Sequence, residues 1–416
     1  MQVARRRFGA VWMTVLGGML LAAAVVAVHW LYGSRSSMSR AEPRFFQAGW
    51  AQLDGWARDS VHEALPAFLR SCAAWAELPG GQPVGGEKAV YGTVADWRGV
   101  CARARDAASG TPEEIRRFFE QSFRPLAVHA GTEEEGLFTG YFEPELRGSR
   151  TRTEEFPIPL LKRPPDLVHV ELGDFRDDLK GRRIAGRVVD GRLEPYESRA
   201  EIDAGKLPLD DLALVWVDDP VDAFFLHIQG SGRIVLRDGS VMRVGYDGQN
   251  GHPYTAIGRV LVERGAMTVE EASLRTIREW LAANPGEAAD VMARNASYVF
   301  FKEVDIPDPG LGPLGSQGVP LTAHRSLAVD GTVHAMGAPV WLEAAAPGVR
   351  EGEPGRPVRR LMIAQDTGGA IRGPVRGDYF WGFGDEAGDI AGRMRHKGRM
   401  YTLVPVELAA RRGEQT

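Results

Sequence analysis

The chain has little from which to build a metal or nucleic-acid site. Its nine histidines and two cysteines form no HExxH pattern and no close His/Cys cluster, so neither a catalytic metal nor a cofactor is expected. A basic excess is also missing. The net charge is -5, which argues against a nucleic-acid partner. No internal repeat is found. What is plentiful is glycine, at 50 residues, with 26 prolines, and this predicts a turn-rich, mainly β protein with some helix. At 416 residues, 44% hydrophobic and 25% charged, the chain is long enough for two packed domains.

The first 35 residues read as a targeting segment. Arg5, Arg6 and Arg7 precede an apolar run from Phe8 to Tyr32 interrupted only by Thr14 and His29. A secretory core is about 7–15 residues long and a spanning helix about 20. The run is nearer the second length, and the arginines favour a cytoplasmic N-terminus. An uncleaved anchor at 8–32 is the expectation, with a cleaved signal as the alternative. Cys72 and Cys101 lie beyond it, where an oxidising compartment permits a disulfide; two buried thiols are the other reading.

Helical spacing marks Ser60 to Ala107, broken by a Pro/Gly-rich loop at Pro79–Gly86. Thr111, Pro112 and Glu114 form a helix start with a capping box, and Ile115, Phe118 and Phe119 form its buried face. From Gly136 the pattern turns to short strands: Gly136–Pro144, an edge strand or loop at Phe156–Leu160, Ala213–Val217, Ala223–Gln229, Gly232–Leu236 and Val241–Tyr246. Asp238-Gly239 marks a hairpin between the last two. Two helices follow, one opening near His252 and one capped by Thr268 with Glu271. The final third predicts strands at Val319–Ala323, Ser326–Val329, Pro339–Leu342, Arg359–Ala364 and Tyr401–Val406. A short helix from Asp385, closing at Lys397 and Gly398, interrupts them.

Two acids in this last third carry the chemical argument. Asp378 stands in Arg376-Gly377-Asp378-Tyr379-Phe380-Trp381-Gly382, and Asp366 in Gln365-Asp366-Thr367-Gly368-Gly369. Aromatic neighbours would desolvate Asp378 and raise its pKa, as a general acid requires. The amides after Asp366 would hold that carboxylate low.

These stretches resemble the membrane-bound lytic murein transglycosylase A family of bacterial peptidoglycan-cutting enzymes. The matching segments are Phe138–Pro144, Phe225–Gly232, Gly245-Tyr246, Asn295–Phe301 and Asp366–Gly398. The resemblance implies a double-psi β-barrel with a smaller β-rich domain inserted and a groove between them. The implied division is 36–144 for the helical part and barrel start, 145–296 for the insert, and 297–416 for the rest of the barrel. It also implies a module with three aspartates, Asp330, Asp366 and Asp378, the last being the catalytic acid. Thr139, Tyr141, Glu143, Gln229, Ser231, Gly369 and Asp330 are candidates for the substrate groove, and Tyr141 or Trp381 for stacking on a sugar ring. His227 reads as a satisfied strand histidine.

The implied reaction is cleavage of the β-1,4 bond between N-acetylmuramic acid and N-acetylglucosamine, leaving a 1,6-anhydro end. The expected partners are peptidoglycan strands, other wall-synthesis or division proteins, and the inner membrane through the N-terminal helix. The expected place is the periplasm of a Gram-negative bacterium. Many relatives are lipoproteins; with Cys72 as the first cysteine, no lipobox is present and a lipid anchor is not expected. Three rival readings stand, one of them a water-using muramidase, whose products would have reducing ends. Asp366-Thr367-Gly368 matches an aspartic-protease signature, and a double-psi barrel can bind glycan without cutting it.

Overall fold

A computed structural model describes residues 42–179, 182–269, 271–348, 353–368 and 370–413. The predicted anchor at 8–32 and Gly369 lie outside these residues. Among the described residues no helix is long and apolar enough to cross a membrane.

The strands are β1 (Pro43–Gln47), β2 (Phe123–Ala130), β3 (Gly136–Glu143), β4 (Glu145–Ser149), β5 (Ile158–Leu161), β6 (Val168–Glu171), β7 (Arg183–Val189), β8 (Arg192–Pro195), β9 (Ala213–Val217), β10 (Ser231–Leu236), β11 (Val241–Gln249), β12 (Val299–Glu303), β13 (Ser326–Val329), β14 (Pro339–Ala346), β15 (Arg356–Asp366), β16 (Arg376–Phe383) and β17 (Arg395–Pro405). β17, β14, β15, β13, β16 and β3 pair in that order, and β3 pairs back onto β17, closing a six-stranded barrel; β2 and β1 extend it from β17. Two of its pairs, β3 with β16 and β13 with β15, are parallel. The ring is the expected double-psi barrel, and its inside is filled by residues such as Phe138, Leu327, Leu342, Met362, Tyr379 and Trp381.

The longer helices of the N-terminal part are α1 (Leu65–Ala76), α2 (Val94–Ala107) and α3 (Pro112–Ser122). Thr111 accepts from the Glu114 amide and Glu114 returns to the Thr111 amide, so α3 begins where its capping box predicts. Phe68, Trp75, Trp97 and Phe119 from these helices pack on Trp341 and Leu361 of the barrel's outer face. A disulfide joins Cys72 of α1 to Cys101 of α2.

A second sheet, ordered β12-β11-β10-β4-β9-β5, and a three-stranded sheet β6-β7-β8 occupy the middle of the chain. The second sheet reaches Glu303, past the expected limit at 296. Ile158–Leu161 forms its edge strand, where prolines cost no ladder bonds.

Several local expectations fail for identifiable reasons. Ala223–Gln229 is not a strand but the body of helix α4 (Pro220–Gln229). Asp219 caps it through the amides of Val221 and Asp222, Pro220 takes the first turn, and Gly230 closes it at φ 80°. These end signals outweigh a β-rich composition. Thr268 and Glu271 do form their reciprocal bonds, but the helix proper starts later, capped by Ser273. The helices there are α5 (Ile257–Glu263), α6 (Leu274–Ala283) and α7 (Pro285–Ala293). Val319–Ala323 makes one isolated bridge rather than a strand. Helix α8 (Gly384–Arg393) stops before Lys397 and Gly398, which lie in β17. Gly398 has its backbone against Glu343 and Ala344 of β14, so it serves close strand approach rather than a helix end. A last helix, α9 (Val406–Gly413), ends the described chain.

Candidate active site

Register brings the two acids onto one face. Ala328 of β13 pairs with Asp366 on one side and with Asp378 on the other, and Asp378 in turn pairs with Thr139 of β3. Side chains in register share a face, so Asp366, Ala328, Asp378 and Thr139 form a transverse row across four strands. The two aspartates are two strand steps apart, about 10 Å between backbones. Alternation then puts Tyr141 and Phe380 on this same face and sends Tyr379 and Trp381 into the barrel. Tyr141 and Phe380 sit ring against ring, 5.2 Å apart.

Asp378 receives one described side-chain hydrogen bond. Thr139 Oγ1 donates to its Oδ1 at 2.6 Å, and Arg376 donates to Thr139 Oγ1 at 2.9 Å. Burial raises the Asp378 pKa, and the charge of Asp366 adds to it; the Thr139 bond and the Arg376 charge offset only part. The expectation of a tuned-up acid therefore holds, and strand alternation sends two of the three following rings elsewhere. Phe380 shares the acid's face. Trp381 points into the barrel, packed on Tyr379 at 4.7 Å and against Gly140, and so faces away from a sugar lying on the acidic row.

Asp366 is held by more donors. Ser316 gives its amide at 2.9 Å and its hydroxyl at 2.8 Å, Thr367 gives its amide at 2.9 Å, and Tyr141 its hydroxyl at 3.0 Å. The sequence suggested that such donors would keep this carboxyl low. Burial wins instead, and its pKa is raised. Burial and the nearby carboxylates push the Tyr141 hydroxyl well above its ordinary range, so it stays a donor. Ser316 escaped the sequence reading; the only signal was a Gly-Ser-Gln-Gly turn between Pro313 and Pro320.

Other candidates separate clearly. Glu143 does not line a groove. It is 1% exposed, and its carboxylate takes Arg233 Nε at 2.9 Å and Arg243 Nη2 at 2.9 Å. Burial still raises its pKa, with the two guanidiniums opposing. It ties the end of β3 to β10 and β11, and Arg233 also lies over the Phe383 ring. Asp330 is fully buried and is not a groove residue either. It accepts from Thr332 and from the Gly373 amide at 2.8 Å, pinning the loop between Asp366 and Asp378. Burial works against its charge, but these bonds and Arg372 hold its pKa below the usual value. Gln229 and Ser231 are half-buried at the junction of α4 and β10, close to Pro144 where β3 ends; no described hydrogen bond connects either to the aspartates. His227 belongs to a helix, and its Nδ1 accepts the Val299 amide. Burial keeps its pKa well below the ordinary value, so it is a neutral packing residue. Among the described residues no group of three or more His, Cys, Asp or Glu could hold a metal.

Residues 137–302 match the MltA specific insert domain and residues 325–404 the 3D domain. The chain is 32% identical over 323 residues, 77% of its length and 76% of the relative's, to a membrane-bound lytic murein transglycosylase A of Escherichia coli. A crystal structure of a membrane-bound lytic murein transglycosylase from Agrobacterium tumefaciens superposes with TM-score 0.76 at 34% identity, covering 88% of this chain and 99% of that one. The Escherichia coli MltA structure with bound chitohexaose gives TM-score 0.59 at 28% identity, covering 80% and 89%.

Proposed function

We propose that this chain, which belongs to the membrane-bound lytic murein transglycosylase A family, cleaves peptidoglycan glycan strands with Asp378 as its single acid–base group. The observation that carries the proposal is the transverse row: a half-buried carboxyl with a raised pKa and one side-chain donor, beside a second carboxyl that is fully engaged by donors.

Protonated Asp378 donates to the glycosidic oxygen as the bond from muramyl C1 to that oxygen breaks. The C6 hydroxyl of the same muramyl ring forms the new bond to C1 and returns its proton to the Asp378 carboxylate. Donor and acceptor are thus one group, and no water is consumed. The nucleophile is part of the substrate, so the advantage of an intramolecular attack applies. A second nucleophilic or basic carboxylate, as hydrolases use, is not needed. Asp366 orients Tyr141 and places negative charge near the developing oxocarbenium ion. Thr139 orients the Asp378 carboxyl.

The substrate lies across Tyr141, Thr139 and the junction of α4 and β10 at Gln229 and Ser231, in a groove between the barrel and the insert. The apolar run at 8–32 holds the enzyme at the inner membrane, facing the periplasm. Wall-synthesis or division proteins are partners of that location.

An aspartic-protease reading is disfavoured. Its two carboxyls share one proton, whereas here Ala328 stands between the two strands and Asp366 is occupied by other donors. The test is incubation of the enzyme with purified sacculi and mass spectrometry of the soluble products. Anhydro ends support the reading. Reducing ends, heavier by one water, refute it, and binding without release would indicate a non-catalytic wall protein.

A further inference from the structure

On the inner face of the strand that carries Asp378, a cavity of about 510 Å³ opens at one mouth of the barrel. Alternation along β16 puts Tyr379 and Trp381 on its floor while Asp378 faces the other way, so the cavity is separate from the acidic row. Five arginines line it, Arg58, Arg325, Arg356, Arg359 and Arg360, against two carboxylates, Asp59 and Glu63. A third, Asp54, reaches Arg359 at 2.8 Å and Arg58 at 3.3 Å. Arg325 is committed to Asp59 and Glu63.

Among the described residues the guanidiniums outnumber these carboxylates, and two of them are weakly paired at most. Arg360 has Asp59 only at 3.9 Å and donates to the Tyr379 hydroxyl at 3.2 Å. Arg356 lies over the Trp381 ring, 5.6 Å from its centre, and among the described residues no carboxylate is within ion-pair distance of it. In a chain of net charge -5, a surplus of guanidiniums over the described carboxylates at one concave spot, with Arg360 only loosely paired and Arg356 without a described carboxylate, marks an oxyanion site.

His324 is the second, independent sign. Its φ is 63°, the left-handed region that non-glycine residues rarely hold, and its amide is fixed by the Phe380 carbonyl at 2.8 Å. Such strain persists where the surroundings enforce it, often at binding sites. The Tyr379 hydroxyl, which accepts from Arg360, lies 3.3 Å from His324 Nδ1. When the Tyr379 hydroxyl donates to Nδ1, the neutral ring carries its proton on Nε2 and can donate from there. Burial and the surrounding arginines hold the ring neutral, with a pKa lowered to about 4.

We propose that the barrel mouth binds a small ligand with two acidic groups, seated on Arg356 and Arg360 with His324 as an added donor. The volume and the aromatic floor suit something of the size of a monosaccharide peptide rather than a lone ion. Carboxylates of a wall peptide and a diphosphate present the same chemistry to a guanidinium pair, and the probes distinguish them.

The test is calorimetric titration of the full chain with N-acetylmuramyl-alanyl-glutamate, with inorganic pyrophosphate, and with neutral N-acetylglucosamine as a control. One dianion site is expected, unchanged in Asp378→Asn and weakened about tenfold or more when Arg356→Gln and Arg360→Gln are combined. Release of muropeptides from sacculi should persist in the arginine variant. If loss of Arg360 prevents folding, Arg356→Gln alone, at an exposed position, carries the same expectation. Preference for the muramyl peptide identifies a wall ligand, and preference for pyrophosphate a phosphorylated one. The idea is overturned if neither anion binds, if the neutral sugar binds equally well, or if the arginine variants bind as tightly as the parent.

Discussion

Thr139 and Asp378 are register partners on parallel strands, and the hydroxyl of the first donates to the carboxyl of the second at 2.6 Å. That bond favours the ionised acid and opposes the burial that favours the protonated one. Removing it in Thr139→Val should raise the Asp378 pKa further. A general acid is active while protonated, so the alkaline limb of kcat/KM should move to higher pH. A limb that stays in place would separate Thr139 from the acid.

Asp378→Asn should reduce muropeptide release by about 100-fold or more, the usual contribution of general acid catalysis. Its stability should change in the opposite sense. The folded-state pKa of Asp378 is raised, so between the ordinary carboxyl value and the raised one the native state holds more protons than the unfolded state. Stability contributed by the protonated form is present at low pH and lost as pH rises through the folded value. The variant escapes that loss. Its melting temperature should exceed the parent's at neutral pH, with the gap closing in acid. Equal melting temperatures at neutral pH would count against the buried acid.

Tyr141→Phe removes the hydroxyl that reaches Asp366 at 3.0 Å and keeps the ring on Phe380. Turnover should fall while the fold remains, because one Asp366 oxygen loses its donor at a cost of about 1–3 kcal/mol. Thermal melts and sacculus digestion, run side by side, separate the two effects. A variant that digests sacculi at the parent's rate would make the Tyr141–Asp366 bond dispensable.

Glu143→Gln should act on stability rather than on substrate affinity. It strips the counter-charge from two buried guanidiniums, Arg233 and Arg243, for which a loss of about 3–5 kcal/mol is typical. Denaturant midpoints check this. A stable variant with a raised KM would return Glu143 to the groove.

Loss of the Cys72–Cys101 bond, which closes a separation of 29 residues, should cost about 2–4 kcal/mol. The double Ala variant should unfold earlier in denaturant and still release anhydro products, because the bond joins α1 and α2 outside the acidic row.

Some of this was already set by the order of residues. Helix α3 starts where Thr111, Pro112 and Glu114 say it must, because a capping box is satisfied by residues three apart and needs no partner from elsewhere. The Asp238-Gly239 hairpin is local in the same way. The raised pKa of Asp378 was legible through its aromatic neighbours, although which ring would lie beside it was not. The placing of Phe380 with Tyr141, and of Trp381 in the core, follows from alternation in a closed barrel.

The remainder depended on partners far along the chain. Ser316 and Tyr141 hold Asp366 across 50 and 225 residues, and Arg233 and Arg243 claim Glu143 across 90 and 100. No local pattern encodes such pairings. The raised pKa of Asp366 has the same origin: neighbouring amides would have lowered it, but burial depends on strands that only the folded barrel assembles. Sequence alone pointed to Asp366 and Asp378 as the groups to examine. Tertiary structure decided which stand free to react and which are consumed as ion pairs or loop anchors, because solvent exclusion and charge pairing are properties of the assembled strands.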